Sequence, residues 1–346
     1  MNGVQVGSTG IEVPNSYAQP RMYTIPASAL KPGRNVIAVR VYDQVGTGGI
    51  NGGPQQVVPE GLSKGPIKID GDWTYHIEAS RPSLPSNFWN TQPQQPYGPG
   101  SAMSPGNLWN GQVNPIVPYA FKGAIWYQGE SNADRAYQYR SLFSGMIRDW
   151  RMAWGRGDFP FYFVQLANFM ARKDEPEESA WAELREAQTM ALRLKNTGMA
   201  VAIDVGEGGD IHPRNKEAIG ERLARWALAR DYGKKDLEPS GPLYKGSRVE
   251  GNRVRIFFTH ADSGLASLSG EDLKGFAIAG EDKKFVFAQA KVEGNTVVVW
   301  SPSVAKPLAV RYAWANNPAC NLINKAGLPA SPFRTDAWAG VTVNNR

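Results

Sequence analysis

Three short apolar runs, each followed by a helical pattern, constrain this chain more than any other feature. Gly123-Ala124-Ile125-Trp126-Tyr127, Phe161-Tyr162-Phe163-Val164-Gln165-Leu166 and Met199-Ala200-Val201-Ala202-Ile203 each have the length of one strand. After the first, Tyr139, Leu142, Phe143, Met146, Ile147 and Trp150 recur at helical spacing. Leu184, Ala187, Ala191 and Leu192 do so after the second, and Ile219, Leu223, Trp226 and Ala227 after the third. Strands separated by helices pair in parallel through right-handed crossovers. The expected fold class is therefore α/β, a partial three-layer parallel-sheet domain over residues 118–232. In such sheets the chemistry gathers just past the carboxyl ends of the strands.

Both flanks read as β structure. Residues 23–43 predict strands, with Ile37, Val39 and Val41 on one face by period-two alternation and Lys31-Pro32-Gly33 as the preceding turn. The glycine-rich stretch 46–53 is not followed by a helical pattern, so it reads as a loop rather than a phosphate cradle. Residues 1–80 are expected to form a partial β-sandwich. Residues 81–117 are rich in Pro, Ser, Asn and Gln and read as a connector. After Tyr232, Val254, Ile256 and Phe258 alternate, and 291–299 reads as a hairpin turning at Glu293-Gly294-Asn295, so 233–346 is expected to be a second β domain.

Composition removes several functional classes. A chain of 346 residues with 42% hydrophobic and 20% charged residues is ordinary for a globular protein, and no apolar run has the roughly 20 residues of a membrane helix. The net charge of +6 is spread along the chain, which points to a solvated surface and to neither nucleic-acid nor membrane binding. Cys320 is the one cysteine, and His76, His212 and His260 stand far apart without metal-ligand spacing, so no metal site is expected. The first residues lack the pattern of a signal peptide, and compartment cannot be read from this end.

Two polar clusters follow the first and third strand runs. In Trp126-Tyr127-Gln128-Gly129-Glu130-Ser131-Asn132, a strand-to-helix corner can offer backbone N–H groups and polar side chains to a reacting oxygen. The same Glu130, Ser131 and Asn132 would also serve simply to cap the helix. In 203–212, His212 is placed as a general base, with a nearby carboxylate to orient it. Such a histidine can equally be structural or merely exposed, and Asp204, Glu207 and Asp210 offer oxygen ligands to a cation without the spacing of an EF-hand.

Taken together, these motifs resemble the sialate O-acetylesterase family, carbohydrate esterases of the Ser-Gly-Asn-His hydrolase group. Residues 123–132 are similar to its WYQGES block. Asp149-Trp150-Arg151, Phe159-Pro160-Phe161 and Val164-Gln165-Leu166 are similar to the stretch that follows, and Asp210-Ile211-His212-Pro213-Arg214-Asn215-Lys216 to its catalytic-histidine block. Residues 275–280 and 329–334 resemble its C-terminal β domain. Residues 2–7 and the run after Asn35 resemble the jelly-roll module inserted into bacterial members.

The resemblance implies removal of O-acetyl groups from a sugar by a serine–histidine mechanism that needs no cofactor. His212 would be the base and Asp210 its orienting partner, with Asp204 or Glu207 as alternatives. Gln128, Gly129 and Glu130 would line the oxyanion site. It also implies a periplasmic or secreted protein acting on an acetylated carbohydrate. The family's Gly-Gln-Ser-Asn nucleophile segment does not occur here, nor does a Gly-x-Ser-x-Gly elbow. The expectation is that the nucleophile segment is missing from this chain, with Ser131 as a substitute nucleophile. An inactive fragment and a carbohydrate-binding protein without catalysis are the competing expectations.

Overall fold

Buried residues at Ala136, Tyr139, Phe143, Ile147 and Arg151 mark one stripe of helix α1 (Ala136–Trp154), the three- and four-residue spacing of a helix with one side in a core. Gly155 ends it at φ +62°, a left-handed cap that glycine adopts without Cβ strain. In the computed structural model the described residues are 1–10, 12, 13, 16, 19–43, 49, 50, 52–61, 65–80, 101 and 104–345. They belong to two compact units, 1–94 and 95–346.

In the first unit the strands among the described residues are β1 (Gln56–Val57) and β2 (Ile67–Lys68), paired antiparallel. The strands expected over 23–43 do not form. The backbone from 34 to 43 carries no ladder, and of the expected face Val39 and Val41 are about half exposed while Ile37 is partly buried. Alternation makes a segment fit for a sheet, but a strand exists only with a partner along its edge. Half of the glycine-rich loop (46–48 and 51) and most of the connector (81–100, 102 and 103) lie outside the described residues. The connector's last part is helical instead, with turns at Trp109–Val113 and Asn114–Ile116.

The second unit is a mixed α/β structure. Strands β3 (Ala124–Trp126), β4 (Phe161–Gln165) and β5 (Thr197–Val201) form a parallel sheet in the order β3-β4-β5. Helix α1 connects the first pair, α2 (Ala180–Met190) the second, and α3 (Lys216–Arg230) follows β5. Strand β4 is buried throughout, and its alternate residues enter two different cores. Phe161 and Phe163 pack with Tyr139, Phe143, Leu184 and Ala187 of α1 and α2. Tyr162 and Val164 pack with Ile219, Leu223 and Trp226 of α3. This is the period-two alternation of a strand covered on both sides.

The remaining strands are antiparallel. One sheet runs β11 (Gln289–Glu293), β12 (Thr296–Trp300), β7 (Arg253–Thr259), β6 (Leu243–Glu250). A second runs β10 (Val286–Phe287), β9 (Phe276–Ala279), β13 (Ala309–Tyr312), β15 (Phe333–Arg334). Strands β8 (Leu265–Ser267) and β14 (Leu322–Asn324) make a third, two-stranded sheet. Val254, Ile256 and Phe258 are buried on alternate positions of β7, and the expected hairpin joins β11 to β12 with Gly294 at φ +61°. The core of these sheets is continuous with that of α1 and α2, since Phe276, Tyr312 and Phe333 share one cluster with Phe143 and Phe163.

Candidate active site

The loops that follow β3, β4 and β5 lie at one end of the parallel sheet, the carboxyl end. The corner after β3 is built from its core. Gly129 is buried at φ +148°, a backbone conformation that disfavours any side chain, and a Cβ there would lie 3.0 Å from Leu184 and 3.1 Å from Nε2 of Gln188. Gln188, fully buried on α2, donates from Nε2 to the carbonyls of Gln128 (3.1 Å) and Val164 (3.3 Å). Its Oε1 accepts the N–H of Leu166 at 2.9 Å. One side chain thus ties the corner to strand β4.

The Gln128 side chain is fixed as well. The Tyr139 hydroxyl donates to its Oε1 at 3.0 Å, and its Nε2 donates to Oδ1 of Asn132 at 2.9 Å. A 3-10 turn over Glu130–Arg135 then leads into α1. Asn132 accordingly holds Gln128 instead of capping with its side chain. Glu130 is half-buried and Ser131 exposed, and among the described residues nothing is hydrogen-bonded to the Ser131 hydroxyl. Burial, with the Glu130 carboxylate as the second cause, pushes the Tyr127 phenol up to about 12.

The loop after β4 contributes Asn168, a residue that the sequence patterns do not single out. Its Oδ1 accepts the N–H of Gly206 at 2.8 Å, and its Nδ2 donates to Oδ1 of Asn317 at 2.9 Å. Asn317 in turn donates to the carbonyl of Met170 at 2.7 Å. The position of Asn168 just past the second apolar run was a usable signal, whereas Asn317 carries none. Beneath this loop, the fully buried Arg185 donates to the carbonyls of Leu166, Ala167, Ala315 and Asn316 at 2.7–3.0 Å. Burial lowers its pKa to about 9, so it is still protonated at neutral pH.

The loop after β5 carries His212. Residues Glu207–Asp210 turn back on themselves, with the Asp210 N–H on the Glu207 carbonyl. The Asp210 carboxylate accepts the backbone N–H of His212 at 2.9 Å, an Asx-turn, and the same oxygen is 3.7 Å from Nδ1 of the imidazole. That second separation is too long for a hydrogen bond. The His212 side chain is 86% exposed.

The other two carboxylates are engaged elsewhere. Asp204 receives both guanidinium nitrogens of Arg222 at 2.6 and 2.7 Å, and Glu207 accepts the Arg214 N–H at 3.3 Å. Asn215 closes the block by capping α3, its Oδ1 accepting the Ala218 N–H. Lys216 then sets its ammonium 4.8 Å from the centre of the Tyr127 ring, a cation–π contact between the His212 block and the Gly129 corner. No hydrogen bond joins His212 to Gln128, Gly129, Glu130 or Ser131 among the described residues. With β4 between β3 and β5, the two corners begin about 10 Å apart, two inter-strand spacings.

Among the described residues, no group of three or more His, Cys, Asp or Glu side chains is arranged to hold a metal, and no helix is long and apolar enough to cross a membrane.

Residues 109–229 match the family described as carbohydrate esterase, sialic acid-specific acetylesterase. That stretch contains both corners and all three parallel strands. Over this stretch the chain is similar to the sialate O-acetylesterases. The sialate O-acetylesterase of Mus musculus is 32% identical over 254 residues, 65% of this chain and 46% of the relative. The Homo sapiens protein is 31% identical over 256 residues, 65% of this chain and 48% of the relative. A solved carbohydrate acetylesterase from Xanthomonas citri is 46% identical with a TM-score of 0.64, covering 67% of this chain and 54% of that one. The chain spans about half the length of the curated relatives it matches.

Proposed function

We propose that this chain is a carbohydrate O-acetylesterase acting on acetyl esters of sugars by a serine–histidine mechanism. The observation that carries the reading is the placement of His212: an accessible imidazole past the carboxyl end of β5, at the same end of the sheet as the Gly129 corner. His212 takes the proton of the attacking serine and returns it to the sugar alkoxide that leaves. Asp210 orients the imidazole by a rotation that closes the present 3.7 Å separation. Asp204 is the weaker choice for that role because Arg222 already occupies both its oxygens. Gln128, Gly129 and Glu130 line the oxyanion position, at a corner that the packing of Gly129 against Leu184 and Gln188 holds in place.

The nucleophile is the remaining role. The Gly-Gln-Ser-Asn segment of the family does not occur in this sequence, and Ser131, exposed at the corner, is the candidate substitute. Residues 118–232 carry the esterase part as a three-layer α/β domain, preceded by a jelly-roll portion over 1–80 and a connector over 81–117, and followed by a β domain over 233–346. The acetylated sugar is the expected partner, and the mechanism needs no cofactor.

Acetate release from aryl acetates and acetylated xylan by wild type, Ser131→Ala and His212→Ala tests the roles, alone and mixed with a serine-bearing segment of a relative. His212→Ala is expected to abolish release wherever wild type shows it, and Ser131→Ala to leave it intact. Activity surviving His212→Ala removes the base assignment. Loss in Ser131→Ala, with a fluorophosphonate adduct on that serine, transfers the nucleophile to this chain. Sugar binding without release under every condition favours a carbohydrate-binding protein.

A further inference from the structure

At the opposite end of α3 from the His212 loop lies a cavity of about 450 Å³ that the mechanism does not use. The helix has 15 residues and runs about 22 Å, so the cavity is a separate place on the molecule. It opens between the last turn of α3, the connection from α3 to β6, and the turn from β7 to β8. Its polar lining is Arg230, Lys235, Asp236, Glu238, His260 and Ser263.

Several features mark it as a built site rather than a surface dent. His260 holds a left-handed backbone, φ +57°, which a residue with a Cβ keeps only when its surroundings enforce it. Buried Asn324 does so, donating to the His260 carbonyl at 3.0 Å and to the Ser240 carbonyl at 2.8 Å, and so clamps the two walls together. The imidazole is fixed from two sides, with Nδ1 2.6 Å from Oε1 of Glu238 and the ring edge-on to Trp226 at 5.8 Å. Its Nε2 carries no protein hydrogen bond among the described residues, and neither Lys235 nor Asp236 is in an ion pair there. Arg230 lies over the Trp226 ring at 5.6 Å and likewise has no carboxylate partner.

The chemistry of the lining selects a ligand class. Two cations and two carboxylates face one space, so there is no net charge to favour an anion or a cation. Donors and acceptors along one lining instead suit a molecule that presents both along its length, which is what the hydroxyls of a sugar do. The volume falls in the range of small-molecule pockets and accepts one or two sugar rings. We infer that this cavity binds a neutral saccharide, as a non-catalytic subsite remote from the candidate ester-hydrolysing end.

Binding is measured without any ester, so this inference stands or falls separately from the esterase reading. Calorimetric titration of the whole chain with the unacetylated β-1,4-linked trisaccharides of xylose, mannose and glucose, each to about 10 mM, is the test. At least one trimer is expected to bind saturably. Lys235→Ala/Asp236→Ala, which alters two exposed side chains, is expected to weaken it about tenfold or more, as loss of hydrogen bonds from one wall of the cavity predicts. His212→Ala is expected to bind like wild type. Absence of saturable heat with all three trimers overturns the proposal, as does unchanged affinity in the double variant. Loss of binding in His212→Ala would place the sugar at the other end of the helix, and tighter binding of a galacturonate trimer, titrated as a fourth ligand, would replace the neutral class with an anionic one.

Discussion

The Gly129 corner and the His212 loop occupy the same end of one sheet, but they are held in different ways. The corner is fixed by buried side chains from α1 and α2, through Tyr139 on Gln128 and Gln188 on the Gln128 carbonyl. The loop is shaped by its own backbone, through the Asx-turn of Asp210 and the Asn215 cap, and its histidine stands in solvent. Asn168 is the link between them, since it anchors Gly206 to the loop after β4. The difference teaches that rigid hydrogen-bond donors can be supplied by a core while a proton-carrying side chain sits on an adjustable loop. Substitutions on the two sides should therefore differ in what they damage.

The largest effect is expected beneath the loop after β4. Replacing Arg185 with leucine removes donors from four backbone carbonyls, those of Leu166 and Ala167 in the buried core. Chemical denaturation is expected to show a loss of about 3–5 kcal/mol, the range for breaking a buried charged network. A loss below about 1 kcal/mol would mean that the loop after β4 does not depend on this side chain.

Paired glycine substitutions come next. At Gly129→Ala the new Cβ meets Leu184 and Gln188 at a positive φ, and a cost of about 2–3 kcal/mol is expected. Gly209→Ala, in the other loop, meets nothing within 4 Å, so thermal unfolding is expected to change by less than about 0.5 kcal/mol. Equal effects at the two positions would erase the contrast between a core-built corner and a self-shaped loop.

What the sequence made legible follows the same division. The parallel strands, their helices and the alternation of β7 were readable because each is written in the periodicity of its own segment. The supports of the corner were not, because Arg185 and Gln188 are polar residues within a helical pattern. The partners of Arg185 at Ala315 and Asn316 are 130 and 131 positions away. The segment 23–43 failed in the opposite sense: its local pattern was good, but among the described residues no strand pairs with it, and Val39 and Val41 stay about half exposed. His212 and Gln128 could be singled out from their positions after strand runs. That Asp204 belongs to Arg222 required the fold, since the two are 18 residues apart on a loop and a helix.

Titration separates the two sides in another way. The Tyr127 phenol is raised from 10.0 to about 12 in the folded protein. A raised folded pKa means that the unfolded chain loses the proton first. The contribution of this group to stability is then complete below pH 10 and is lost as pH rises from 10 toward 12. Ultraviolet difference titration of wild type against Tyr127→Phe is expected to place this phenol near 12. A transition near 10 would mean that the corner is open to water.

The smallest structural effect belongs to Asp210, and it separates two roles the carboxylate can have. Asp210→Asn keeps an oxygen for the His212 N–H, so the Asx-turn survives, whereas Asp210→Ala removes it. Because the loop is exposed, Asp210→Ala is expected to cost about 1 kcal/mol or less and Asp210→Asn close to nothing, read from thermal melts. Activity should divide differently. A carboxylate that orients the imidazole and stabilises its charged form cannot be replaced by an amide, so acetate release should fall about a hundredfold or more in Asp210→Asn despite unchanged stability. If Asp210→Asn instead keeps full activity and Asp210→Ala loses it, the residue serves the turn alone. The partner of His212 would then be Glu207, the remaining carboxylate in the loop that is not locked to Arg222.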